Sequence, residues 1–183
     1  MRKLIAALFV SLDGVAEAPE KWNPPYFTDE MGAVIGQDMA SSDALLMGRR
    51  TYEEFASYWP QQSSEGNPIA AFMNNTPKYV ASTTLERVDW DGSTLLGDDV
   101  AGEVAKLKQE KGKDIIVNGS ATLVRSLLAD GLVDELQLMI HPIVLGSGGR
   151  LFDGGTPQVA LELVDTKAFS SGVVGVTYRP TSS

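Results

Sequence analysis

The chain has 183 residues, 43% hydrophobic and 21% charged, and its 24 acidic residues against 15 basic ones leave a formal net charge of -9. That length suits a single domain spanning residues 1–183, and the composition lacks the low hydrophobicity and high charge of a disordered chain. The acidic balance argues against nucleic acid as a partner, because such binders gain affinity by neutralising phosphates; the absence of cysteine excludes disulfides and thiolate sites, and a lone His leaves no metal expected.

Residues 3–14, "KLIAALFVSLDG", are almost continuously apolar and read as a central strand covered on both faces. Arg2, Lys3 and the Ala16-Glu17-Ala18 triplet imitate a secretory leader, but Asp13-Gly14 interrupts the segment and Pro19 would follow the cut. A strand is the better reading. No run reaches the roughly 18 apolar residues of a membrane span, so no membrane partner and a cytoplasmic location are expected. The Pro-rich loop "KWNPPYF" then offers Trp22, Tyr26 and Phe27, rings that could cover a flat heterocycle or simply pack under the loop.

Thr28 precedes Met31, Val34, Ile35 and Met39 at helical spacing and supplies a cap. "DALLMG" reads as a second buried strand, and in the helix after it Tyr52, Phe55, Ala56 and Trp59 share one face before Pro60 stops it. "QQSSEGNP" is a polar loop; "KYVAST" and "STLLG" are short strands. Asp98 or Asp99 opens a helix carrying Val100, Val104 and Leu107, ending near Gly112, and "DIIVNG" is a strand. The helix in "SATLVRSLLADG" takes Ser120 as its cap, buries Leu123, Val124, Leu127 and Leu128, and stops at Gly131. "ELQLMIHPIVLG" alternates partly at period two, with His141 in a structural place, and "GSGG" (residues 146–149) is a tight connection. "ALELVDTKAF" and "VVGVTYR" flank a Ser-Ser-Gly turn as an antiparallel hairpin.

The pattern is α/β: a mostly parallel sheet built from strand-helix units with antiparallel strands at the C-terminal end. Ligands of such sheets sit beyond the carboxyl ends of the strands. Two junctions there carry the parts of an anion site. In Gly48-Arg49-Arg50-Thr51 a glycine turn meets a helix start with two guanidinium groups, and Asn118-Gly119-Ser120 repeats the geometry without the arginines. Neither fits the G-x-G-x-x-G or G-x-x-x-x-G-K-[ST] fingerprint.

"LLMGRRTYE" resembles the M-G-R-x-T-[WYF]-E segment of dihydrofolate reductases, and residues 114–152, "DIIVNGSATLVRSLLADGLVDELQLMIHPIVLGSGGRLF", are similar to the C-terminal reductase domain of the bifunctional riboflavin-biosynthesis deaminase–reductase. "SLDG" agrees with that reductase group, and no H-x-E with P-C-x-x-C of the zinc deaminase is present. The resemblance covers essentially the whole chain. It implies a dihydrofolate reductase-like three-layer α/β/α fold, NADPH as hydride donor and a homodimer. It further implies that Gly48, Arg49, Arg50 and Thr51 hold the cofactor phosphates, that Asn118, Gly119, Ser120, Ala121 and Thr122 face the diphosphate from the second turn, and that Ser82 and Thr83, with Arg87 nearby, lie along the adenosine side.

Hydride transfer also needs a proton source. The resemblance places the helix carboxylate of dihydrofolate reductases near Gly32 here, where no Asp or Glu stands; Asp29 and Glu30 read as helix-start partners, and Asp13, at the carboxyl end of the first strand, is the expected catalytic acid. The resemblance points to an NADPH-dependent reductase of a small pyrimidine- or pterin-like substrate, nearest to 5-amino-6-(5-phosphoribosylamino)uracil reduction. A dihydrofolate reductase and a dinucleotide-binding dimer without turnover are the alternatives.

Overall fold

The computed structural model describes residues 1–181. The strands β1 (Leu4–Ser11), β2 (Ser42–Gly48), β3 (Lys78–Ala81), β4 (Ser93–Leu95), β5 (Asp114–Asn118) and β6 (Glu135–His141) run parallel, and β7 (Leu161–Ala168) and β8 (Val174–Pro180) close the sheet as an antiparallel hairpin. Their order is β4-β3-β2-β5-β1-β6-β8-β7, so the chain leaves β2 for one edge, returns through β5, and then builds outward on the other side. The carboxyl ends of β2, β5 and β1 therefore border the place where the winding reverses, the usual seat of a ligand in such sheets.

The central strands are apolar on both faces because helices cover both. On one side Leu4, Ala6, Leu8, Leu46, Ile115 and Val117 pack with Val104 and Leu107 of α4 (Val100–Gln109) and Val124, Leu127 and Leu128 of α5 (Ala121–Ala129). On the other, Leu45, Met47, Val80 and Ile116 meet Tyr52 of α2 (Arg49–Tyr58) and Met73 of α3 (Pro68–Asn75), while Met31 of α1 (Asp29–Ser41) packs with Phe9, Met139, Phe169 and Val173. Each fully buried aliphatic side chain of this kind contributes about 1.5–3 kcal/mol. No described helix is long and apolar enough to cross a membrane.

Most caps follow the sequence reading. Thr28 Oγ1 accepts the Met31 N–H at 3.3 Å and Asp99 Oδ1 accepts the Gly102 N–H at 2.9 Å. α4 ends at Gln109 rather than near Gly112. α3 is an element the pattern reading left unassigned, apart from Pro68 at the end of the polar loop; its signals are Asn67, whose Oδ1 accepts the Ala70 N–H at 3.1 Å, and Pro68 in the first turn. Ser120 overturns its expected role. It has φ 57° and no capping hydrogen bond, because its hydroxyl is used elsewhere.

β3 also carries a lysine with no exposed surface. Lys78 Nζ donates to the carbonyls of Asn74 (3.2 Å), Thr76 (2.9 Å) and Asp91 (3.0 Å) and lies 4.3 Å from the Trp90 ring centre. Burial pushes the amine down to about 8, which still leaves a cation at neutral pH. Replacing it by Met strands those carbonyls, so Lys78→Met should lose about 2–4 kcal/mol of stability, read as a lower urea midpoint at pH 7 with an unchanged slope.

Candidate functional site

Two strand-to-helix turns lie side by side because β2 and β5 are neighbours. The Ser120 hydroxyl joins them: it accepts the Gly48 N–H at 2.7 Å and donates to Thr51 Oγ1 at 2.8 Å. Space for this bridge comes from Gly119, at φ 87°, where a Cβ would stand 3.2 Å from Thr51 Oγ1. Neither α2 nor α5 has a side-chain cap at its N-terminus, so their first N–H groups and positive dipole ends open toward one cleft. Arg49 is held by Glu53 one turn on at 3.2 Å, whereas Arg50 has no ion-pair partner among the described residues. The pair is thus divided into one locally neutralised guanidinium and one free for an anion.

The cleft holds about 1250 Å³. Its wall includes Gly48, Arg49, Arg50 and Thr51, Ser82 and Thr83, and Asn118, Gly119, Ser120, Ala121 and Thr122, so the structure brings these residues around one space. Ser82 Oγ accepts the N–H groups of Thr84 (3.1 Å) and Leu85 (3.0 Å), which shapes the turn after β3. Arg87 is paired with Asp89 at 3.3 Å and stands off the cleft wall. The cleft runs on under α1 and α2. Ladder pairing sets Ala7, Gln137, Thr177 and Asp165 in one row across the sheet, and Phe9, Met139, Gly175 and Lys167 in the next.

The expected acid is engaged in building a loop. Asp13 Oδ1 accepts from Ser11 Oγ (2.6 Å) and the Leu145 N–H (3.1 Å), and Oδ2 accepts the Gly146 N–H at 2.8 Å. Those bonds, the Ser11 hydroxyl first, bring the carboxyl down to about 2. Asp13 is off the cleft wall and ionised at neutral pH, so it has no proton to give, and its work is to pin the residue 146–149 connection. Trp22 and Tyr26 likewise leave the cleft: both meet His141 edge-on, at 5.1 and 5.8 Å between ring centres, and Trp22 Nε1 donates to the Glu17 carbonyl at 3.0 Å. Only Phe27 of that aromatic group lines the cleft. Its ring lies 3.6 Å from where a side chain on Gly32 would begin, covering the position at which the resemblance placed a carboxylate. His141 is buried, with Nδ1 donating to the Met139 carbonyl at 2.9 Å and Nε2 meeting the Asn23 carboxamide at 2.7 Å.

A different carboxylate faces the cleft. Asp38 lies on the α1 stripe one turn beyond Val34 and Ile35 and two beyond Met31, a spacing that could have shown it in the sequence. Burial pushes its carboxyl up to about 6, against the Gln137 side chain hydrogen-bonding to the charged form. Glu54 of α2 is also pushed up, by burial and then by Glu20 and Glu17 on the loop after β1.

Fold and site together define a protein of the dihydrofolate reductase-like class, with a mostly parallel sheet, an antiparallel C-terminal hairpin and a cleft across the β2–β5 turns. The RibD C-terminal domain family model matches residues 2–175, and the chain belongs to that family. It is 34% identical to the uncharacterized protein YyaP of Bacillus subtilis (strain 168), with 97% of this chain and 95% of that protein covered. Among solved structures it resembles a candidate riboflavin biosynthesis protein of Shewanella sp. PV-4 (TM-score 0.75, 21% identity, 98% and 99% of the two chains). It also resembles a dihydrofolate reductase of Enterococcus faecalis complexed with NADP(H) (TM-score 0.67, 14% identity, 98% and 97%).

Asp38 has a stability signature. With an ordinary value of 3.8 and a folded value of about 6, its ionisation penalises the fold; the penalty is absent below the lower value and complete above the upper one. Asp38→Asn removes that titration. The variant should gain on the parent as pH rises from about 4 to 7, reaching about 1–2 kcal/mol after allowance for partial solvation. Thermal melts across that range measure it, and a pH-independent difference would contradict the assignment.

Proposed function

We propose that the protein is an NADPH-dependent reductase of a small pyrimidine- or pterin-like ring. The observation that carries this reading is the joined pair of uncapped helix starts, bridged by Ser120 and opening with the free Arg50 onto a cleft of about 1250 Å³. The residues present fit a dinucleotide: backbone N–H groups of two helices for the diphosphate, Arg50 for a further phosphate, with Arg49 held beside it by Glu53, and the Ser82-Thr83 turn along the adenosine. NADPH supplies a hydride when bound.

The chain supplies position and a proton. Phe9, Met139 and the α1 residues Val34 and Ile35 give the inner end an apolar floor and wall that exclude water from a flat ring. Asp38 replaces Asp13 as the proposed acid: it reaches the cleft and its carboxyl lies close enough to neutral for a protonated fraction at working pH. Gln137, beside it, orients the carboxyl group. A homodimer joined through the hairpin belongs to this proposal, supported by β7, whose residues are all exposed along an open sheet edge.

Fluorescence titration of the purified protein with NADPH should saturate within tens of micromolar, and Arg50→Ala should weaken binding about five- to tenfold, with a shallower salt dependence. Absence of saturable NADPH binding to the parent protein would sink the reductase reading.

A further inference from the structure

His141, the chain's single histidine, is fully buried, and its two ring nitrogens make different demands. Nδ1 lies 2.9 Å from the Met139 carbonyl, which can only accept, so Nδ1 keeps a proton. Nε2 stands 2.7 Å from Asn23 Oδ1. With that oxygen toward the ring both nitrogens face acceptors, and the arrangement is satisfied only by the doubly protonated imidazolium. A neutral ring, its one proton held on Nδ1, turns Nε2 into an acceptor and needs the Asn23 carboxamide rotated by half a turn, with NH₂ toward the ring. The two orientations present opposite groups on the far side of Asn23.

Asn23 is half-buried and lines the cleft with Phe9, Phe27 and Met139, and its second terminal atom has no partner among the described residues. The imidazole that holds it is itself wedged: Phe9, Trp22 and Tyr26 meet His141 edge-on, with ring centres 5.6, 5.1 and 5.8 Å away. Among these neighbours from β1, the loop after it and β6, Tyr26 is the one titratable group and none is charged. Burial, opposed by the Met139 and Val10 carbonyls, pushes the ring below the ordinary histidine value, so the neutral form prevails at pH 7. We propose that Asn23 is a ligand-contacting residue whose polarity is set by His141: beside the neutral imidazole it presents its carboxamide oxygen to the cleft, and beside the imidazolium its NH₂. The chemistry it takes at neutral pH is an N–H borne by a flat ring, which a nicotinamide carboxamide and an aminopyrimidine both carry. Protonation of His141 sets donor against donor and disfavours that ligand. His141 acts through Asn23 and is a positioning residue. The inference rests on the reductase reading above for the identity of the ligand.

With a single histidine, the full chain gives one set of ring nitrogen signals in NMR, so both the tautomer and the titration are read without ambiguity. In the free protein the neutral ring should carry its proton on Nδ1 and titrate below 6.5. A ligand N–H that binds the neutral form should lower this midpoint by about one pH unit, the reciprocal of about tenfold weaker binding to the protonated form. NADPH is the first probe, and 5,6-diaminouracil on the NADP⁺-saturated protein is the second. Whichever lowers the midpoint in the parent and not in Asn23→Ala is the one that Asn23 meets. Asn23→Asp, with an oxygen at both ends, should instead hold the second proton and carry the midpoint above 6.5. A neutral ring protonated on Nε2 overturns the inference, as does an Asn23→Asp midpoint no higher than the parent's, or a midpoint that neither probe lowers or that Asn23→Ala lets fall equally. Failure of NADPH to saturate overturns the reductase reading and appears in the fluorescence titration itself; the tautomer and the Asn23→Asp midpoint, read without ligand, still decide whether His141 sets the carboxamide.

Discussion

The hydroxyl of Ser120 is the joint on which the cleft depends. By taking the Gly48 N–H and giving its own proton to Thr51, it locks the turn after β2 to the turn after β5 and satisfies a backbone donor at the start of α2. The cost is local: a non-glycine residue at φ 57°, held there by tertiary contacts. In return the first turns of α2 and α5 stay open, since the side chain that would have capped α5 is drawn sideways. Their unpaired N–H groups become a shared surface for an anion rather than two separately closed helix ends.

A second constraint follows from the same architecture. Both faces of the central sheet are covered, so polar groups reach a ligand only at strand ends or along the gap between α1 and α2. Charges in that gap are poorly solvated and act on one another. Glu54 feels Glu20 and Glu17 against Arg50 and Lys21, and Asp38 feels Glu135, with burial the largest cause for both. The connection after β6 is a companion case: Asp13 and Glu17 spend their oxygens on the Leu145, Gly146 and Gly149 N–H groups, so the glycine-rich segment is tied down by the protein's own carboxylates.

The core, the α/β layering and both turns were legible in the sequence, because apolar runs and helical stripes report burial directly. Thr28 and Asp99 announced their helices correctly, whereas Ser120 sat in a capping position and capped nothing, its hydroxyl finding partners 72 and 69 residues away. Asp13 had the right place in a motif and the wrong surroundings. Trp22 and Tyr26 stood open between a ligand cover and packing under their loop, and a buried histidine far along the chain claims them. Asp38 was passed over although it lies on the apolar stripe of its own helix.

Sequence by itself determined the layered fold, the two glycine turns and the local excess of cations at residues 49 and 50, since each is set by residues close together along the chain. Only the tertiary structure decided which carboxylate faces the cleft and which is consumed by a loop. Those outcomes turn on burial and on hydrogen-bond partners more than a hundred residues apart, such as Asp13 with Gly146, and a one-dimensional pattern carries no measure of either.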